Sequence, residues 1–338
     1  MNKSIKINFG LNILRVILAF WIVVAHCANL RNKALMKIIL GKNFHVPTFM
    51  TISFYFFSNN FFKRNINKIK LRFFRLLIPY TIWPLIKFIL NNLLFFFNGK
   101  EKNINIIDIK LLINQIILGR KIHAVFWFQF NLIIITLFFA IISLLFKDSL
   151  LYLFIFICIV SYILQYSDLN YNYFIKYTIN VSHSLGHISE MIPISIIGII
   201  LGKLNIISKV QKFKSKIILY SPIIFYFLFI KEIFVKPKGF QYEGINLNIG
   251  AIFLFIFFSI VPINANNQKI KYLLTLITNY TGGIYYLHTI VSKFLENIFF
   301  LIKKRTFIGC IFIYSFCYLI CFIGLRLFSK NILRYLFF

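Results

Sequence analysis

Acidic side chains are almost missing from this chain: eight Asp and Glu stand against 38 Lys and Arg in 338 residues, a formal net charge of +30. A basic excess of that size can signal nucleic-acid binding. Here, however, the charges sit in short clusters between apolar runs, the placement of loops beside anionic lipid headgroups, so nucleic acid is set aside as a partner and membrane lipids take its place. Cysteine is scarce as well. Cys27, Cys158, Cys310, Cys317 and Cys321 are odd in number, form no CxxC pair and all fall inside apolar segments, so they read as small buried hydrophobes with no disulfide or metal framework. No polar stretch is long enough for a separate soluble domain, and no internal repeat is present, so residues 1–338 read as a single transmembrane domain.

What the chain has is apolar surface. At 60% hydrophobic and 19% aromatic it exceeds the roughly 45–50% apolar content of a soluble domain, which makes it an integral membrane protein. Phe (44) and Tyr (18), with Ile, Asn and Lys in every row, have the look of AT-rich codon usage, so a single Phe or Ile carries little information. Apolar runs long enough to span a bilayer predict an all-α, polytopic fold of about ten transmembrane helices. They lie near 11–30, 44–62, 76–97, 122–146, 149–165, 186–204, 216–235, 246–263, 280–302 and 307–328. With ten spans both termini share a face. That face carries nineteen basic residues against sixteen on the other, and its densest cluster lies between the second and third spans, which puts both termini in the cytoplasm.

The first span, LNILRVILAFWIVVAHCANL, organises the rest because it carries two ionisable residues in hydrocarbon. Such side chains cost several kcal/mol unless they face a protein interior or a wet cavity. Arg15 and His26 are eleven residues apart, three turns plus about 20°, so both project from one helix face at a separation of roughly 16 Å. That face reads as one wall of a reaction cavity. The competing reading, a secretory signal peptide, fits less well: an Arg interrupts the apolar run and further membrane sequence follows it.

The second span opens with FHVPTFMTISFYFFS, with Pro47 in its first turn, where a missing N–H costs nothing. Arg72 and Arg75, three residues apart in KIKLRFFRLLIP, lie on one helical face at the membrane boundary. Two guanidinium forks at that spacing suit a phosphate group, and they equally suit a positive anchor that fixes topology. Glu190, in HISEMIPISIIGIILGK, is one of the few acids within a span and either orients His26, binds acceptor hydroxyls or neutralises an Arg. His288, with Tyr285 one turn away on the same face, is either a packing histidine or a substrate contact. Trp127 and Tyr285 can stack on sugar rings, or simply pack. Lys87, Lys293 and Glu296 receive no role, and His123 and His183 fall in loops and stay unassigned.

Taken in order, R-x10-H at Arg15 and His26, VPTFMTIS, RFFRLLIP, FWF at Phe126–Phe128 and GIYYLH at Gly283–His288 resemble the motifs of membrane-bound acyltransferase family 3, ten-helix bacterial enzymes that acylate extracytoplasmic glycans. The resemblance runs over essentially the whole chain, with one departure at Phe54, where the family often has Gly. It implies that His26 is catalytic, with Arg15 its partner on the same helix. It also implies that Arg72 and Arg75 hold an acyl-CoA donor, acetyl-CoA first among them, on the cytoplasmic side, with no metal involved. The acceptor would then be a hydroxyl of a glycan or lipid-linked sugar, the compartment the bacterial plasma membrane, and His26 either a general base or a transiently acylated nucleophile. The rival expectation is a transporter or exporter of a polysaccharide or lipid, because ionisable residues in spans also mark transport paths. No inverted repeat favours it.

Overall fold

A computed structural model describes residues 9–27, 44–97, 110, 112–114, 116–117, 126–166, 183–234, 245–261, 268–296, 306–328 and 332–337. His123 and the first residues of the expected span at 122–146 lie outside them, as do the ends of several other expected stretches. Among the described residues there are helices and no strands. In chain order these are α1 (Phe9–Cys27), α2 (His45–Phe62), α3 (Ile66–Phe97), α4 (Phe126–Leu145), α5 (Leu150–Tyr166), α6 (His183–Lys203), α7 (Ile206–Val210), α8 (Lys214–Phe234), α9 (Ile245–Ile260), α10 (Gln268–Asn279), α11 (Thr281–Leu295) and α12 (Phe307–Leu327), followed by a 3₁₀ turn over Ile332–Leu336.

A described helix overlaps each of the ten expected stretches, but most of these helices are not long and apolar enough to count as spans. Among the described residues four helices are long and apolar enough to cross a bilayer singly, Phe9–Cys27, Ile66–Leu90, Phe126–Leu145 and Phe307–Leu327. The pair His187–Lys203 and Ile206–Phe229, bent by 66° at its break, adds a fifth if it is one span. Two differences from the expected layout have local reasons, and α6 begins at His183, a residue expected in a loop. α3 starts ten residues before the apolar run because Asn65 accepts the Lys68 N–H at 3.1 Å and caps the helix there, after a left-handed turn at Arg64. The basic motif with Arg72 and Arg75 therefore lies inside the helix. α10 was expected as a connection. Its Ile270, Leu273, Leu274 and Ile277 have helical spacing, but at 12 residues it is too short to register as a span.

The chain forms two compact units, the first comprising residues 1–56, 201–327 and 337–338, the second 57–200 and 328–336. In the first, α1 packs against α9, α10, α11 and α12. Its core is Leu11, Leu14 and Leu18 of α1 with Phe44, Ile52, Leu247 and Phe255, and Phe20 meets Phe307 and Tyr314 of α12 edge to face. α11 lies so close to α12 that Gly283 abuts Cys321 and the carbonyl of Phe337. In the second unit, α3 pairs with α4 and with the 3₁₀ turn. Phe61, Phe139 and Phe154 form a buried aromatic chain, and the Cys158 thiol reaches the Pro193 carbonyl at 3.8 Å.

Candidate functional site

The two ionisable residues of α1 both face α11. Arg15 donates a hydrogen bond from its guanidinium to Thr281 Oγ1 at 3.2 Å, and the His26 ring stands 5.3 Å from that of His288, tilted by 35°. Thr281 and His288 are seven residues apart, two turns, so the periodicity that puts Arg15 and His26 on one face of α1 meets a matching face of α11, the two helices running in the same direction. Thr281 in turn donates to the Thr278 carbonyl at 2.9 Å, across the break between α10 and α11, so Arg15 grips the start of α11 through an already ordered hydroxyl.

The two imidazoles differ in environment. His26, in the last turn of α1, is exposed, whereas His288 is fully buried. His288 Nδ1 lies 2.8 Å from the Tyr285 carbonyl and 3.3 Å from that of Ile284. Carbonyls only accept, so Nδ1 carries the proton and donates, and in the neutral ring the lone pair sits on Nε2. The carbonyl of His288 is itself contacted by the Cys27 thiol at 4.0 Å, and its ring lies 6.2 Å from that of the half-buried Tyr285. His26 is thus the accessible imidazole, mounted against a fixed one. A third imidazole, His45 at the start of α2, is buried, and no feature of the sequence had singled it out. Among the described residues no three His, Cys, Asp or Glu side chains converge as metal ligands.

The second unit holds the remaining sequence candidates. Glu190 pairs with His187 at 3.2 Å, both buried, and the His187 ring packs 4.5 Å from that of the half-buried Trp127. His187 was overlooked although its signal was present: it precedes Glu190 by three residues, the spacing at which helical side chains meet. On α4, one turn beyond Trp127, Asn131 is fully buried with neither amide atom hydrogen-bonded.

Arg72 and Arg75 share a helix but not an environment. Arg72 is half-buried, donating from Nε to Thr136 Oγ1 at 3.1 Å and lying 4.6 Å above the Phe57 ring. Arg75 is exposed and lies 5.4 Å from the ring of Tyr335, which Arg334, also exposed, approaches to 5.0 Å. Arg334 donates to the Tyr335 hydroxyl at 3.1 Å, and hydrogen bonds from Arg334 and then Arg75 hold that phenol below its ordinary pKa. The α3 end of this cluster is anchored by Trp83, whose Nε1–H donates to the Leu336 carbonyl at 3.1 Å. The second arginine of the motif therefore finds its cationic companion in the C-terminal turn.

A family model described as an acyltransferase domain matches residues 8–326, nearly the whole chain and every helix from α1 to α12. No curated protein and no solved structure matches it.

Proposed function

We propose, because the chain belongs to acyltransferase family 3, that this membrane acyltransferase moves an acyl group, acetyl in the first instance, from acyl-CoA to a sugar hydroxyl of a lipid-linked or cell-surface glycan. The observation that carries the reading is the pairing of α1 with α11, which presents an exposed imidazole, His26, on a rigid mount made by His288 and the Arg15–Thr281 hydrogen bond. Transfer to a hydroxyl needs a base. Imidazole, with an ordinary pKa of about 6.5, takes such a proton at neutral pH. The acceptor oxygen attacks the thioester carbonyl carbon as His26 receives its proton. The C–S bond then breaks, its electron pair leaves with sulfur, and the proton on His26 passes to the thiolate, giving the sugar ester and free CoA.

The guanidinium cluster of Arg75 and Arg334 suits the phosphates of the donor, because each fork offers planar donors to oxyanions and neither is enclosed. Arg72, held by Thr136 and Phe57, serves in this reading to fix that stretch of α3. Trp127 and Tyr285, each half-buried beside a histidine, are faces on which a sugar ring can stack. The protein works in this reading as one catalytic domain of ten spans in the bacterial plasma membrane, both termini cytoplasmic.

Purified protein given acetyl-CoA and candidate glycans is expected to release CoA only when a competent acceptor is present. His26→Ala should lower that rate by about 10²- to 10⁴-fold, the usual cost of losing a positioned base, while remaining monodisperse. CoA release by His26→Ala at the wild-type rate would end the role of this residue, and acceptor-independent release would end the transfer reading.

A further inference from the structure

Acyl transfer needs, besides a base, a group that meets the negative charge growing on the carbonyl oxygen. The amino end of α2 has the properties such a group requires. Phe44 caps this 18-residue helix, its carbonyl accepting the Thr48 N–H at 3.2 Å, so the N–H groups of His45 and Val46 precede the first intrahelical bond and Pro47 has none. Thr48 and Thr51 turn their hydroxyls back onto the carbonyls of Phe44 and Pro47, at 2.7 and 2.9 Å, so neither is spent on the first N–H groups of the helix. The aligned peptide dipoles of a helix make its amino end attractive to an oxyanion.

A helix terminus alone would mean little. At this one, His45 is 4% exposed and its Nδ1 has no hydrogen-bond partner. A buried polar atom left unpaired costs about 1–3 kcal/mol. Packing fixes where it sits: the Phe44 ring lies 5.2 Å from Trp21 of α1 and 5.6 and 5.9 Å from Phe225 and Phe229 of α8. Trp21 precedes His26 by five residues, so the contact of Phe44 with Trp21 sets the amino end of α2 beside the last two turns of α1. All of these residues belong to the first compact unit.

We propose that the His45 Nδ1–H and the amino end of α2 form the oxyanion site of the transfer reaction, receiving the thioester carbonyl oxygen while His26 takes the hydroxyl proton. The inference rests on the acyl-transfer reading of His26. As the sugar oxygen bonds to the carbonyl carbon, the C=O π pair moves onto oxygen and is met by the His45 donor. When the pair returns, the C–S bond breaks and the sulfur takes its proton from His26. His45 keeps its own proton throughout and acts as a neutral donor.

His45→Leu, His45→Asn and His45→Gln separate this role from packing. Asn places a carboxamide nitrogen near the position of Nδ1, whereas Gln carries it one bond too far. The expected result is a 10²- to 10³-fold loss of kcat in His45→Leu, the usual cost of removing one oxyanion donor, with KM for acetyl-CoA and for acceptor changed less than about threefold. Its melting temperature should hold or rise, since an unpaired polar atom has been removed. His45→Asn should recover at least about tenfold in kcat over His45→Leu, and His45→Gln should not. Wild-type kcat in His45→Leu, a loss carried by KM, or equal activity of the Asn and Gln variants would overturn the oxyanion role while leaving the acyltransferase reading intact. If His45→Leu does not fold, the Asn and Gln pair decides by the same criterion. A wild-type protein that releases no CoA with any acceptor would overturn both.

Discussion

Gly283 offers the most direct test of how the α1–α11 face is held in place. A Cβ built on it would stand 2.5 Å from Cys321 Sγ and 2.8 Å from the Phe337 carbonyl oxygen, and the second obstacle is backbone, which yields less than a side chain. Gly283 lies inside α11, so the reason for glycine here is proximity of neighbours and owes nothing to unusual torsion angles. Gly283→Ala gains about 1 kcal/mol of helix propensity and loses about 1–3 kcal/mol to overpacking, so the net change runs from neutral to about 2 kcal/mol unfavourable. Activity should suffer more than stability. Thr281 and His288 flank Gly283 on the same helix, and a shift of α11 away from α12 displaces both the Arg15 acceptor and the mount of His26. The assay is paired: thermal unfolding in detergent, and acceptor-dependent CoA release. Adding Cys321→Ala to Gly283→Ala removes the sulfur obstacle and should restore part of both, leaving the deficit due to the Phe337 carbonyl. A Gly283→Ala protein that melts above wild type and turns over normally would show that α11 and α12 are free to separate, and the argument for a rigid mount would fall.

Two further outcomes follow from the polar contacts. Arg15→Met and Thr281→Val, singly and together, should show a coupling energy of about 1 kcal/mol or more in unfolding, since hydrogen bonds to charged groups contribute about 1.5–3 kcal/mol; additivity within about 0.5 kcal/mol would mean the contact does not tie α1 to α11. Replacing Arg75 and Arg334 together by Lys keeps the charges that orient the chain but removes both planar forks, so KM for acetyl-CoA should rise about tenfold with acceptor KM unchanged, whereas an unchanged donor KM in correctly inserted protein would return them to topological anchors.

Helices were legible because apolar run length is a coarse, robust signal, and the shared face of Arg15 and His26 was legible because helical period fixes direction from spacing alone. Spacing does not reveal the partner. Arg72 and Arg75 satisfy the same one-turn rule, yet one is enclosed by Thr136 and Phe57 and the other shares Tyr335 with Arg334, more than 250 residues away in sequence. For Glu190 the sequence offered three partners or tasks, and the residue it meets, His187, was inside the motif being read. His45 lay deeper still. It stands at a helix boundary beside Phe44, in a chain where aromatic residues are too common to mark anything, and its burial without a partner, a property no sequence pattern reports, is what draws attention to it.

That last property has a physical meaning in a bilayer protein. A polar side chain in the core of a soluble protein can often borrow a buried water, but between apolar helices it must find a protein partner or bear the cost of having none. Trp21 Nε1 and His45 Nδ1 both bear it, on two helices between which the Phe44 ring packs against the Trp21 indole. Substituting either by an apolar residue would remove the penalty at once, and most single stabilising changes of this kind are within easy mutational reach. Two such atoms beside one aromatic contact, a few residues before His26 on α1 and in the first turn of α2, are consistent with the oxyanion site proposed above, whose donors would serve a reacting molecule instead of the fold.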